Sequence, residues 1–264
     1  MAIKLIALDL DGTLLTSDKK ITTRTKDIIA RAMARGVTVT IATGRMLRSA
    51  LYFTRLLASD APVVCCNGGY VGRAEGAPVF ARYFDPALTR EFLTFAYERN
   101  WYVNWYRGLD IYAPEYRAEY FTAYRTTAGF VVHEVGDDYL RYTENVPQFV
   151  LRELDAGIDA YVRTVREHFG DQLLSQQNTG TSVDINPPGV NKAVGVKALA
   201  DAMGLGLDEL MVAGDADNDY EMLEMGAFSV VPENGLPEAK ERASYVTASN
   251  DANGIALAIE KFVL

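Results

Sequence analysis

The sequence predicts an α/β fold: a parallel sheet with helices on both faces, interrupted by an inserted α+β unit. Three observations predict it. Short apolar runs alternate with helical patterns at both ends of the chain, as βαβ units do. Those runs are almost continuously hydrophobic, as strands buried on both faces require. Between about Tyr83 and Asn186 the texture changes to aromatic-rich strands and longer helices. Residues 1–82 and 187–264 then form one Rossmann-like unit, and residues 83–186 a second unit set into it.

Residues 3–8, all apolar but Lys4, suit a buried strand that ends in Asp9-Leu10-Asp11-Gly12-Thr13. Thr22 or Thr23 caps a helix that runs to Arg35 and stops at Gly36. The β-branched run 37–41 is a second strand, ending in Thr43-Gly44-Arg45, and a helix follows over 46–58. Residues 62–66 are a third strand, ending in Asn67-Gly68-Gly69. In the insertion, 86–100, 114–127 and 155–169 read as helices. Residues 101–107, 111–113, 130–135 and 148–153 read as strands, and 173–177 with 182–186 as a hairpin around Thr179-Gly180. The chain then returns to alternation: helix 191–203, strand 209–213 ending in Gly214-Asp215, helix 220–225, strands 228–231 and 245–247, and helix 254–262.

Composition bounds the function. With 264 residues, 49% hydrophobic and 23% charged, the chain is an ordinary globular one with room for one large or two modest cores. A net charge of −9 argues against non-specific nucleic-acid binding. No apolar run approaches the roughly 20 residues of a membrane span, and the first residues carry no basic leader. Cys65 and Cys66 are adjacent, a spacing that suits neither a disulfide framework nor a metal pair, so a reducing, cytoplasmic setting is expected. His133 and His168 read as surface or packing residues.

Four short motifs fall at strand or helix ends. Asp9 and Asp11 are two carboxylates two residues apart after a buried strand. In a regular strand they would share a face and repel. Thr43-Gly44-Arg45 offers a hydroxyl and backbone N–H groups at a helix start, a setting that suits phosphate, although a plain Thr cap explains it too. Lys192 stands near a helix start, against the helix dipole, unless an anion is bound there. Gly214-Asp215-Ala216-Asp217-Asn218-Asp219 holds three carboxylates in five residues. Counted from Asp215, it lacks the Gly and Glu of a calcium loop, and a Mg²⁺ site shared with the Asp9/Asp11 turn fits better. Ligands of open α/β sheets bind beyond the carboxyl ends of the strands, where Asp9, Thr43 and Asp215 all stand. Together the motifs read as a phosphoryl-transfer site: one carboxylate attacks phosphorus, a second moves protons, and Lys192 and Thr43 stabilise charge on the phosphoryl group.

On these residues the chain resembles the haloacid dehalogenase superfamily and, within it, the Cof-type phosphatases. The matching stretches are Asp9-Leu10-Asp11-Gly12-Thr13-Leu14-Leu15, Ala42-Thr43-Gly44-Arg45, Asn67-Gly68, Asn191-Lys192 and Gly214-Asp215-x-x-Asn218-Asp219-x-x-Met222-Leu223. The resemblance implies Asp9 as nucleophile, forming an aspartyl-phosphate, and Asp11 as general acid and base. It implies Mg²⁺ held by Asp9, the backbone carbonyl of Asp11, and Asp215, with Asp219 behind the metal. Leu10, Thr43, Gly44, Arg45 and Asn218 are the implied substrate contacts, with Thr43 and Lys192 on the phosphate. Asn218 and Asp219 support Lys192, the metal and its waters.

Asp11 and Thr43 are 32 positions apart, with no room for a cap, which argues against the small-cap branch that includes β-phosphoglucomutase. Thr43 and Lys192 are 149 apart, and the insertion between them resembles the large α/β cap of Cof-type enzymes. One departure is Val231-Pro232-Glu233-Asn234-Gly235, where relatives carry a Met-Gly-Asn-Ala-like stretch. The expected activity is hydrolysis of a small phosphorylated metabolite. A phosphomannomutase-like mutase and a non-catalytic phosphometabolite-binding module are the alternatives.

The inserted segment holds 20 of the chain's 28 aromatic residues. Its nine Arg stand against sixteen Asp and Glu, with no Lys, so it carries −7 of the net −9. An extended polyanionic substrate is disfavoured, and a small, ring-bearing phosphate ester fits better. Tyr116, Tyr120 and Tyr124 would share one helix face, either as core or facing substrate. Arg45 and Arg107 are candidates for a substrate's distal groups. The crossings at 81–85 and 186–189 are candidate hinges.

Overall fold

The computed structural model describes residues 2–124, 129–153, 157–179 and 181–264. Contacts divide the chain into two units: Met1–Arg45, Ala50–Phe80 and Asn191–Leu264 make the first, and Met46–Ser49 with Ala81–Val190 the second.

The chain opens with β1 (Leu5–Leu8), α1 (Thr23–Ala34), β2 (Thr38–Ile41), α2 (Leu47–Leu56), β3 (Val63–Cys65), β4 (Tyr70–Gly72) and β5 (Phe80–Ala81). The Thr22 hydroxyl caps α1 by accepting from the Thr25 N–H. Helix α2 stops two residues short of the expected end, where Ala58 turns into a left-handed conformation at φ 52°. Strand β3 also ends early, because Cys66 and Asn67 are left-handed and cannot continue a strand. Strands β4 and β5 were not anticipated; at three and two residues they are too short to show a period.

The insertion runs through α3 (Pro86–Glu98), β6 (Tyr102–Arg107), β7 (Asp110–Ala113), β8 (Val132–Glu134), β9 (Phe149–Arg152), α4 (Ile158–Phe169), β10 (Leu174–Thr179) and β11 (Ser182–Asn186). These strands form one sheet in the order β10-β11-β9-β6-β7-β8. Helices α3 and α4 pack Phe92, Leu93, Phe95, Val165 and Phe169 against Val103, Trp105, Phe149, Leu151, Val183 and Ile185 of the sheet. Alternation along each strand sends those residues to one face.

The helix expected over 114–127 is instead, in its described part, a 3-10 helix over Ala118–Tyr124, interrupted at Phe121. Aromatic and β-branched residues are poor helix formers, and here Tyr120 stacks on Tyr102 while Phe121 is buried and packs near it. Tyr116 lies before this element, so the three-tyrosine helix face does not form. Residues 125–127, the first two residues of the helix expected from 155, and Gly180 of the expected hairpin turn lie outside the described residues. His133 stacks on Tyr112 beside Asp110, and His168 packs on Phe95.

The chain closes with α5 (Lys192–Ala202), β12 (Leu210–Ala213), α6 (Tyr220–Leu223), β13 (Phe228–Pro232), α7 (Pro237–Glu241), β14 (Tyr245–Thr247) and α8 (Gly254–Phe262). The five-stranded sheet of the first unit has the order β14-β13-β12-β1-β2, parallel throughout. Ile6 and Leu8 pack on one face with Val39, Ile41, Ile28 and Ile259, while Leu5 and Ala7 pack on the other with Val212, Val196 and Leu199. Burial on both faces is why β1 reads as an unbroken apolar run. Parallel register aligns the carboxyl ends of β1, β2 and β12: Leu8 pairs with Ala213 and with Ile41. Three of the four expected motifs begin where one of these strands stops, and the fourth, at Lys192, opens α5. No helix among the described residues is long and apolar enough to cross a membrane.

Candidate active site

Beyond Leu8 the chain leaves the sheet at Asp9, whose N–H still donates to the Ala213 carbonyl at 2.9 Å. Leu10 points into the core and is fully buried, so any substrate contact at Leu10 falls to its backbone. Gly12 takes φ 89°, and a Cβ there would collide with the Asp215 carboxylate. Glycine is thus required twice, for the backbone and for the close approach. Gly214 has the same closeness to the Asp219 side chain.

Lys192 is the centre of the arrangement. Its side chain is 1% exposed, and its Nζ donates to Asp9 Oδ1 and to Asp219 Oδ1, both at 2.7 Å. Asn191 caps α5 by accepting from the Val194 N–H at 3.0 Å, which fixes where that helix starts and so where Lys192 projects. Burial alone would pull the Lys192 ammonium down, but Asp219 and then Asp9 outweigh it and lift it above the ordinary lysine range. The ammonium stays charged. Asp219 Oδ2 also accepts the Asp215 and Ala216 N–H groups, at 2.9 and 3.2 Å. Both oxygens of this buried carboxylate are therefore engaged.

The other carboxylates are less settled. One oxygen each of Asp9, Asp215 and Asp219 lie within 4.8 Å of one another. Burial raises Asp9 well above the usual carboxylate range; Lys192 opposes this, while Asp219 and Asp215 add to it. Burial likewise pushes Asp215 up to about 6, against the Thr13 hydroxyl, which donates to its Oδ1 at 2.6 Å, and with help from Asp219. Hard oxygens crowded in a desolvated turn are the donor set that suits a divalent cation; its charge would relieve the repulsion and return Asp9 and Asp215 to the ionised form.

Asp11 turns away from this cluster. Arg45 grips it with Nε to Oδ2 at 2.7 Å and Nη2 to Oδ1 at 2.8 Å, and Lys19 Nζ reaches Oδ1 at 2.8 Å. Burial would raise Asp11, but Arg45 and then Lys19 prevail and hold it at about 2. Thr43 is buried, and its Oγ1 accepts the Arg45 N–H at 3.2 Å. Gly44 follows it in the same turn. Asn218 donates from Nδ2 to Asn67 Oδ1 at 3.3 Å.

Asp9, Asp215, Asp219 and Lys192 thus come together, with Thr13 attached to Asp215. Arg45, expected on the substrate, is occupied by Asp11. Arg107 lies in the second unit, donating to the Glu144 carbonyl at 2.7 Å and sitting over Tyr112 and Tyr142; it is a packing cation there, not a free one. No separate role for Thr13, Lys19, Asn67 or Asn234 is legible in the sequence. Thr13 and Asn67 lie inside the Asp9–Thr13 and Asn67-Gly68 stretches. Asn234, from the departing stretch, donates to the Gly12 carbonyl at 2.8 Å and accepts from the Asn250 N–H at 2.9 Å. A lone loop Asn carries no signal of such a role.

A parallel sheet whose carboxyl ends gather an Asp pair, a buried Lys and an acidic turn defines a phosphoryl-transfer hydrolase. The chain matches the haloacid dehalogenase-like hydrolase family over residues 6–259, and it belongs to that family as a Cof-type phosphatase. A Streptococcus pyogenes protein is 34% identical over the whole of both chains. The 5-amino-6-(5-phospho-D-ribitylamino)uracil phosphatase YbjI of Escherichia coli is 30% identical, over 99% of this chain and 96% of its own. A haloacid dehalogenase-like hydrolase from Bacteroides thetaiotaomicron has the same fold, with a TM-score of 0.89 and 23% identity over 98% of this chain and 99% of that one.

Proposed function

We propose that the protein hydrolyses small phosphate monoesters through an aspartyl-phosphate on Asp9, with Mg²⁺ as its metal. The observation that supports this most is the buried Lys192 bridging Asp9 and Asp219 beside Asp215. A fixed cation at the nucleophile's own oxygen has no structural need that an apolar residue would not meet better. Asp9, Asp215 and the Asp11 carbonyl would hold the ion, with Asp219 behind them because its oxygens are already bonded. When bound, Mg²⁺ supplies charge neutralisation at the transferring phosphoryl group.

In the first step an Asp9 carboxylate oxygen attacks phosphorus while the ester P–O bond breaks, and the leaving oxygen takes its proton from the Asp11 carboxyl. In the second, Asp11 accepts a proton from water as that water attacks phosphorus. The bond to Asp9 then breaks and phosphate leaves. Arg45 and Lys19 hold Asp11 ionised, the form that accepts the water's proton; to donate in the first step it has to leave Arg45. Lys192 and Thr43 hold phosphoryl oxygens, the backbone of Leu10 and Gly44 and the side chain of Asn218 are further substrate contacts, and Arg45 reaches the substrate only when Asp11 has left it.

Residues 1–82 and 187–264 do this chemistry, and residues 83–186 choose the ester, acting as a cap. Their acidity and aromatic content support a compact, ring-bearing ester such as the phosphoribitylaminouracil that names YbjI. Two buried cysteines, adjacent in sequence, support a cytoplasmic setting. The test is phosphate release from para-nitrophenyl phosphate with Mg²⁺, then from a panel of sugar phosphates, nucleotides and phosphoribitylaminouracil. Wild type turns over and Asp9→Asn does not; activity that survives Asp9→Asn unchanged overturns the mechanism.

A further inference from the structure

The turn after β3 is built from three consecutive left-handed residues, Cys66 at φ 53°, Asn67 at 51° and Gly68 at 90°. Two of them carry side chains, and such strain persists only where the surroundings over-determine it. Three contacts do so here. The backbone is stitched to the turn after β2: Thr43 N–H donates to the Val64 carbonyl at 2.9 Å, Asn67 N–H to the Thr43 carbonyl at 3.1 Å, and Cys66 N–H to the Arg45 carbonyl at 3.0 Å. Gly68 lies so near the start of α5 that a Cβ would collide with the carbonyl of Asn191, the residue before Lys192. The Asn67 side chain is buried, and its Oδ1 accepts from Asn218.

One dipeptide therefore touches the three segments that carry Thr43, Lys192 and Asn218. We infer that Asn67 is a positioning residue for phosphoryl transfer. Its Oδ1 fixes the orientation of the Asn218 amide, while Gly68 sets the spacing to Lys192. At 3.3 Å the amide pair is a weak bond, so its role is orientation more than stability. The inference rests on the phosphatase reading, which supplies the phosphoryl group that Asn218 serves.

Asn67→Gly separates the two roles, because glycine keeps the left-handed backbone while removing the side-chain amide. The full chain is assayed for hydrolysis of para-nitrophenyl phosphate with Mg²⁺, for binding of inorganic phosphate by calorimetry, and for thermal midpoint. Asn67→Gly is expected to melt at or above the wild-type temperature. It loses about fivefold or more in kcat/KM and in phosphate affinity, the range of a direct side-chain coupling. In the Asn218→Ala background the same change has no further effect. A purely structural turn predicts multiplying losses instead, which overturns the inference, as does an Asn67→Gly chain within twofold of wild type in both readouts. A wild type that binds phosphate without hydrolysing the ester overturns the phosphatase reading alone, since the coupling is still read from binding. A wild type that does neither overturns both.

Discussion

Lys192 and Asp219 are fully withdrawn from water, and that sets the energetics of the site. Removing one partner of a buried ion pair leaves the other uncompensated, a cost of about 3–5 kcal/mol. Lys192→Ala is expected to lose a stability of that order in urea denaturation and to lose phosphatase activity. Asp215 and Asp11 give pH dependences of opposite sign. Asp215 is raised from 3.8 to about 6 on folding, so the folded state binds its proton more tightly than the unfolded chain. That contribution is full below about pH 4 and is lost as the pH rises towards 6. Asp11 is lowered from 3.8 to about 2, so its contribution is present above about pH 4 and is lost as the pH falls through 2. With divalent cations chelated, wild type is expected to melt higher at pH 5 than at pH 8, and Asp215→Asn to flatten that difference. An unchanged difference in Asp215→Asn would place the burden on Asp9.

The elements that build the site are the turns after the strands, and their glycines are not equivalent. Gly12 is at φ 89° and abuts the Asp215 carboxylate, while Gly76, at φ 87°, faces open space. Both substitutions to alanine strain the backbone, by roughly 1 kcal/mol. Only Gly12→Ala displaces a proposed metal ligand. It is expected to raise the Mg²⁺ concentration for half-maximal activity by about tenfold or more, the usual effect of disturbing a ligand's surroundings. Gly76→Ala is expected to keep wild-type Mg²⁺ dependence. Much of this was legible in order: Asp9, Asp11, Thr43 and Asp215 fall at the ends of apolar runs, and Lys192 at a helix start after Pro187-Pro188-Gly189. The partners of Thr13, Lys19 and Asn234 were not, because a hydroxyl, an ammonium and an amide in polar turns look like any solvated residue until a partner is brought to them.

Across the whole molecule, each unit has its own apolar core. Both tryptophans, Trp101 and Trp105, lie in the second unit, whereas the proposed phosphate and metal ligands lie in the first. Fluorescence therefore reports one unit and far-UV circular dichroism both. Urea unfolding is expected to give different midpoints by the two probes, a departure from two-state behaviour. Inorganic phosphate with Mg²⁺ should shift the dichroism transition more than the fluorescence one. Coincident transitions that move together would show a single cooperative unit.

By itself the sequence determined the α/β class and the family, because strand burial and motif spacing are local patterns carried by neighbouring residues. It also determined that the insertion holds most of the aromatic and acidic excess. Only the tertiary structure decided which charges meet. It decided that Arg45 is bound to Asp11, that Arg107 is packed on tyrosines, that the 118–124 segment is a 3-10 helix, and that Asn67 reaches Asn218 across 151 positions of chain. Periodicity reports which side of an element is apolar. The partner of a polar side chain is set by parallel register and helix placement, which bring together residues that no local pattern connects.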